Sequence, residues 1–162
     1  AGIFYGYRNP KNRALLVPGA QTCARAELYA FKHLLKHESR VVAVKSDCRY
    51  VVDGVNIYMS KWKARAWFDK PLEGKYIDNV DLWKEIDSII TNRVNAFTLG
   101  WCKGHPLPKH LGSKQTTELD AYGNIGCDYL AGVASNTLDP NQCEKATLLA
   151  NAQFPSLMGS GS

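Results

Sequence analysis

The stretch from Arg40 to Gly54, RVVAVKSDCRYVVDG, constrains the fold more than any other part of the chain. Val41 to Val44 is a short β-branched apolar run, which suits a strand buried on both faces. Lys45 and Ser46 bring the chain to the surface, and Asp47 then stands at the strand's C-terminal end. That is the edge of an open α/β sheet at which ligands bind. Tyr50, Val51 and Val52 form a new apolar patch, so a helix is expected to begin just after Asp47. Taken alone, an Asp in such a strand-to-helix turn reads most simply as an N-cap. Its chemistry depends on what else the fold brings to it.

With 162 residues, 45% of them hydrophobic, the chain has room for one domain with its own core. It contains no apolar run of bilayer-spanning length and does not open on a signal-peptide pattern. Cys23, Cys48, Cys102, Cys127 and Cys143 are odd in number and include no CxxC pair. They read as free thiols, which implies a reducing intracellular compartment and argues against a disulfide frame or zinc site. The formal charge of +5 favours a polyanionic partner without identifying one.

Ala1 to Tyr7 and Arg13 to Val17 read as two strands joined through Asn9-Pro10-Lys11-Asn12, a hairpin. Thr22 to His37 has helical spacing, with Leu28, Phe31, Leu34 and Leu35 on one side. At roughly 100° per residue, Glu27 falls about 40° from Phe31 and about 20° from Leu34, on the rim of that apolar face. A carboxylate there must be paired, protonated or bound to a cation, and Arg25 or a strand lysine is the simplest partner. Helical spacing continues beyond Asp47, with Gly54 as a weak point, into Ser60 to Lys70. There Lys61, Lys63, Arg65 and Lys70 interleave with Trp62 and Trp67. The segment is either a solvated helix pinned by two tryptophans or a cationic ridge, its aromatics against sugar or base and its lysines on phosphates. Asn79 to Ile90 is an amphipathic helix with Leu82, Trp83, Ile86, Ile89 and Ile90 inward. Asp81 and Asp87 read there as surface charge, Asp81 near the favourable helix start. Phe97 to Cys102 is the last strand. The polar loop after it carries Pro106, Pro108 and two histidines, and Gly123 to Ala134 is a short helix carrying Asp128.

Glu27, Asp47 and Asp128 thus come from three separate elements. If folding gathers them, like charges at close range require a cation. Hard oxygen ligands suit Mg²⁺ or Mn²⁺, which retain waters and take substrate phosphates as further ligands. Two such ions can hold the attacking and leaving oxygens of an in-line phosphoryl displacement.

The pieces QTCARAEL (Gln21 to Leu28), SDCRYVVDG (Ser46 to Gly54), WKARAW (Trp62 to Trp67), NVDLW (Asn79 to Trp83), KGH (Lys103 to His105) and GNIGCDYLA (Gly123 to Ala131) resemble, in order, type 1 ribonuclease H. Each piece is weak alone; six in the family's order are specific. The resemblance implies an α/β ribonuclease H-like fold, a mixed β-sheet flanked by helices, over residues 1–135. Residues 136–158 would be a C-terminal extension, and Gly-Ser-Gly-Ser at 159–162 reads as an appended linker. It implies a metal-dependent endonuclease acting on the RNA strand of an RNA/DNA hybrid, leaving 5′-phosphates. Glu27, Asp47 and Asp128 match three of the family's four metal-binding carboxylates, for two Mg²⁺ or Mn²⁺ ions. His105 matches the loop histidine that assists proton movement or product release. Tyr58, Lys61, Trp62, Lys63, Arg65 and Trp67 match an aromatic and basic handle on the DNA strand, and Thr22 a phosphate contact there.

Departures from the pattern carry equal weight. Cys23 and Ala24 stand where asparagines usually touch the minor groove, and Arg49 where glutamine is common. The loop from His105 to Asp128 is longer than in cellular enzymes and resembles retroelement ribonuclease H domains. The family's central first strand, which carries a carboxylate bridging both ions, has no counterpart here: residues 1–26 contain no Asp or Glu. Cleavage by this chain alone is therefore expected to be impaired, with the strand supplied upstream or by another chain. The alternative is a non-catalytic module of the same fold that binds nucleic acid or serves as a scaffold. The WKARAW and KGH pieces argue against a transposase- or integrase-like reading.

Overall fold

The structure, a computed structural model, describes residues 1–6, 9–103, 125, 127 and 130. The chain divides into two compact units, Thr22–Trp101 and a second made of Ala1–Gln21 with Cys102–Ser162.

In the latter, β1 (Gly2–Ile3) pairs antiparallel with β2 (Arg13–Ala14), the expected hairpin with shorter strands. Asn12 closes its turn: the side chain accepts from Tyr5 N–H at 2.6 Å and donates to the Gly6 carbonyl at 2.8 Å. Asn12 is buried, and these two bonds satisfy both ends of its amide. Ala14 and Leu130 form a small apolar cluster with Phe4 and Leu16 against it.

The unit from Thr22 to Trp101 carries the main core. α1 (Cys23–His37) begins where Thr22 Oγ1 accepts the Arg25 N–H at 3.1 Å, an N-cap. Leu28, Phe31 and Leu35 recur at helical spacing and are buried. Beyond its C-terminus, the Arg93 guanidinium donates to the Glu38 and Arg40 carbonyls, and Asn95 Nδ2 to the Ser39 carbonyl at 2.7 Å. β3 (Val42–Ser46) pairs in parallel with β6 (Phe97–Trp101), in a register that sets Val44 beside Leu99 and Ser46 beside Trp101.

β3 departs from the expectation of a strand buried on both faces. Val41 is 73% exposed, Ala43 and Lys45 are exposed, and only Val42 and Val44 turn inward. The β-branched run hid an ordinary two-residue alternation, because Ala43 is small enough to be read as part of either face. Among the described residues β3 is paired along one edge, to β6.

From Arg49 to Ala64 the chain is one helical run with a π-helical stretch at its centre. It comprises α2 (Arg49–Asp53), the π segment Gly54–Tyr58 and α3 (Met59–Ala64). Gly54 lies against the Trp83 indole so closely that an added Cβ would fall 2.6 Å from Cζ2 and inside contact with Cη2. The widened turn also lets Asn56 Nδ2 reach the Leu99 carbonyl at 2.9 Å, tying the helix to β6. Gly54 is thus a close-approach site for Trp83, in addition to the soft spot its propensity suggested.

Helical structure does not continue through Trp67 to Lys70. It ends at Ala64, Ala66 and Trp67 have positive φ, and β4 (Phe68–Lys70) pairs antiparallel with β5 (Lys75–Tyr76). The Pro71 and Gly74 between these strands are turn residues, and Phe68 stacks on Tyr76 with ring centroids 4.4 Å apart. α4 (Val80–Asn92) follows as expected, burying Leu82, Trp83 and Ile86 against α1 and α2. Among the described residues no helix is long and apolar enough to cross a membrane.

Candidate active site and nucleic-acid interface

Asp47 follows the last residue of β3, and its position is fixed by its neighbours' bonds. Because Ser46 is in register with Trp101, the Trp101 indole reaches the turn, where Nε1 donates to the Asp47 carbonyl at 3.2 Å. Ser46 Oγ accepts the Cys48 N–H at 3.2 Å, and the Arg49 guanidinium lies over the Trp101 ring, 4.0 Å from its centroid. The N-cap of α2 is Cys48, with no side-chain capping bond. The plain reading of Asp47 as the helix cap therefore does not hold.

Glu27 lies in the second turn of α1, half-buried, as its rim position required. Arg25, the simplest partner on sequence grounds, is turned elsewhere. Its guanidinium grips Asp81 in a two-pronged pair at 3.0 and 2.7 Å and reaches Asn79 Oδ1 at 3.2 Å. Two residues along a helix point to different faces, so Arg25 serves α4 on a different face from Glu27. Asp81 is accordingly more than surface charge: the bond from Arg25 holds its carboxyl below the usual range, and the same bond raises Arg25. Asp87 likewise holds Lys63 Nζ at 2.9 Å.

The charges of Glu27 and Asp47 both act on the Cys48 thiol. Burial pushes this thiol up, a bond from Val51 N–H draws it down, and the negative charges of both Glu27 and Asp47 raise it further. Among the described residues no three His, Cys, Asp or Glu side chains form a metal-holding group. Asp128 and His105 lie outside the described residues. Of the carboxylates assigned to the ions, Glu27 and Asp47 lie among the described residues, and oxygen donors of that kind suit a hard divalent cation.

The aromatic and basic ridge occupies the far end of the helical run that starts beside Asp47. From Arg49, Tyr58 is nine and Trp62 thirteen residues along, which at about 1.5 Å each gives about 14–20 Å, about four to six nucleotide steps of ~3.4 Å along one strand. Tyr58 is exposed and stacks on Trp62 with centroids 5.9 Å apart, and Lys61 Nζ lies 5.7 Å from the Tyr58 ring. Trp62 is half-buried edge-on to Trp83 at 5.0 Å, and Trp67 also packs on the core. Both tryptophans therefore anchor the ridge while keeping part of their surface outside. Lys61 and Arg65 are exposed, whereas Lys63 is engaged by Asp87. Thr22 is exposed at the N-terminus of α1, its hydroxyl oxygen accepting the capping bond.

The contributions of Cys48, Trp101 and Tyr50 were missed on sequence grounds. Tyr50 Oη accepts from Trp83 Nε1 at 2.9 Å and Asn79 Nδ2 at 3.3 Å and donates to the Asp78 carbonyl, tying α2 to the start of α4. Only the β3–β6 register could have brought Trp101 to Asp47, and sequence spacing does not encode register.

The family model for RNase H matches residues 1–136. The ribonuclease H of Francisella tularensis subsp. novicida is 37% identical over 78 residues, 48% of this chain and 47% of that protein. That of Ruthia magnifica is 30% identical over 98 residues, 60% of this chain and 61% of that one. The chain spans about half to three-fifths of the length of these curated relatives. Among solved structures, the solution structure of the PFV RNase H domain superposes with a TM-score of 0.54 at 24% identity, covering 78% of this chain and 75% of that one. Prototype foamy virus protease-reverse transcriptase gives the same score and identity over 81% of this chain and 17% of that one, so the matching fold occurs there within a longer chain. The match over most of its length places the chain in the RNase H family, with the RNase H-like fold.

Proposed function

We propose that this domain hydrolyses the RNA strand of RNA/DNA hybrids with Mg²⁺ or Mn²⁺, leaving 5′-phosphate ends. Beyond family membership, the observation that carries this reading is the placement of Asp47 directly after the C-terminal end of β3, its turn held by the bond from Trp101 Nε1. Together with Asp128 they would hold the divalent ions. When bound, such ions supply Lewis-acid stabilisation of the phosphoryl oxygens and lower the pKa of a bound water. The chain's own residues do the rest. Trp101 fixes the Asp47 turn, and His105 assists proton movement or product release. The deoxy strand would run along Tyr58, Trp62 and Trp67, its phosphates meeting Lys61, Lys63, Arg65 and Thr22, while the ribose strand is selected by its 2′-hydroxyls in the minor groove. The free thiols of Cys23 and Cys48 support a reducing, intracellular setting.

Residues 1–26 hold no carboxylate, and we take hydrolysis by this chain alone to be weak until an Asp-bearing strand, upstream or from another chain, completes the ion site. The same observation favours the second reading, a nucleic-acid-binding module that does not cut. The test is cleavage of an end-labelled hybrid by the chain extended at Ala1 with an Asp-bearing strand. Mg²⁺-dependent cutting that Asp47→Asn abolishes is the expected result. An intact hybrid, with binding indifferent to chelator and to Asp47→Asn, would leave only the binding module.

A further inference from the structure

α1 carries a feature that the nucleic-acid chemistry does not use. His33 and His37 lie one helical turn apart near its C-terminus, and their rings stack with centroids 4.1 Å apart and planes 26° from parallel. Residues four apart share a helix face, so the two imidazoles stand together on the surface. The His37 Nδ1 is 2.9 Å from the His33 carbonyl oxygen. A carbonyl only accepts, so Nδ1 carries the proton and donates, and in the neutral ring the lone pair lies on Nε2. Metal-ligating histidines are oriented in this way, one ring nitrogen donating to a carbonyl while the other takes the ion. The neighbouring Lys32 ammonium is held by Glu85 Oε2 at 3.1 Å, which moderates the local positive charge.

We propose that His33 and His37 form a two-histidine surface site for a borderline transition-metal cation of the Zn²⁺ class, water completing the coordination shell. Imidazole pairs suit Zn²⁺, Ni²⁺ and Cu²⁺, whereas the carboxylates at the sheet edge suit Mg²⁺ and Mn²⁺. The two sites therefore take different ions, and this one stands or falls independently of any nuclease activity.

Calorimetric titration of the full chain with ZnCl₂ in excess Mg²⁺ tests the site. One Zn²⁺ should bind per chain, and His33→Gln or His37→Gln should each weaken binding at least about tenfold, or 1.4 kcal/mol. Imidazole ¹⁵N spectra should show coordination of His37 through Nε2 with Nδ1 still protonated. No binding by the unmodified chain overturns the proposal. So does unchanged binding by the His33→Gln/His37→Gln double variant, which would move the ion to other histidines or cysteines, and so does coordination through His37 Nδ1.

Discussion

Replacing Gly54 with Ala tests the packing that connects the Asp47 end of the helical run to the ridge. In a solvated helix Gly→Ala would stabilise by about 1 kcal/mol through backbone entropy. Here the new Cβ would meet Trp83 Cζ2 at 2.6 Å and Cζ3 at 3.2 Å, and Trp83 is fully buried. The indole cannot swing aside without losing its 2.9 Å bond to Tyr50, worth about 1 kcal/mol, and overpacking adds about 1–3 kcal/mol. The net expectation is destabilisation by about 1–3 kcal/mol, or about 3–10 °C in Tm for a chain of this size. Urea denaturation of Gly54→Ala, Trp83→Phe and the double variant measures it. Trimming the indole should recover part of the loss, giving a coupling of about 1 kcal/mol or more. A Gly54→Ala protein as stable as its parent, or a pair of substitutions that simply add, would refute the close approach.

The Arg25–Asp81 pair makes a pH prediction. Asp81 has a depressed pKa in the folded chain, so its contribution is present above its unfolded value of about 3.9 and is lost as pH falls through the lower folded value. Asp81→Asn should cost about 1–2 kcal/mol at neutral pH, less than a fully buried pair because Asp81 is half exposed, and the difference from the parent should vanish at strongly acidic pH. A cost that persists there, read by denaturation across pH, would contradict the assignment. For the ridge, Lys61→Ala and Arg65→Ala should each lower the slope of log binding constant against log salt by about 0.7–0.9, and Lys63→Ala by less, since Asp87 already holds it. Equal effects from all three would mean that Lys63 leaves Asp87 on binding.

The helices were the legible part. The apolar stripe of α1 and the stripe of α4 follow from spacing alone and stand as expected, whereas the Thr22 cap was not foreseen. Sheet details were not legible, because a run such as Val41 to Val44 fits a two-sided or one-sided strand until its partners are known. The β4–β5 hairpin was hidden by the lysines and tryptophans around it, although Pro71 and Gly74 are turn residues. At the candidate site, sequence placed Glu27 on the rim and Asp47 at the strand end. It did not show that Arg25 turns to Asp81, which depends on how α1 packs against α4 and leaves Glu27 for another partner.

The proposed function rests on Glu27, Asp47 and Asp128 serving one ion site, a proposal that Mn²⁺ titration followed by amide NMR tests most directly. Paramagnetic broadening should appear together, at the same Mn²⁺ concentration, at the amides of Glu27, Asp47 and Asp128, and Asp47→Asn should diminish it at all three. Broadening at Asp47 while Glu27 or Asp128 stays sharp would contradict the account.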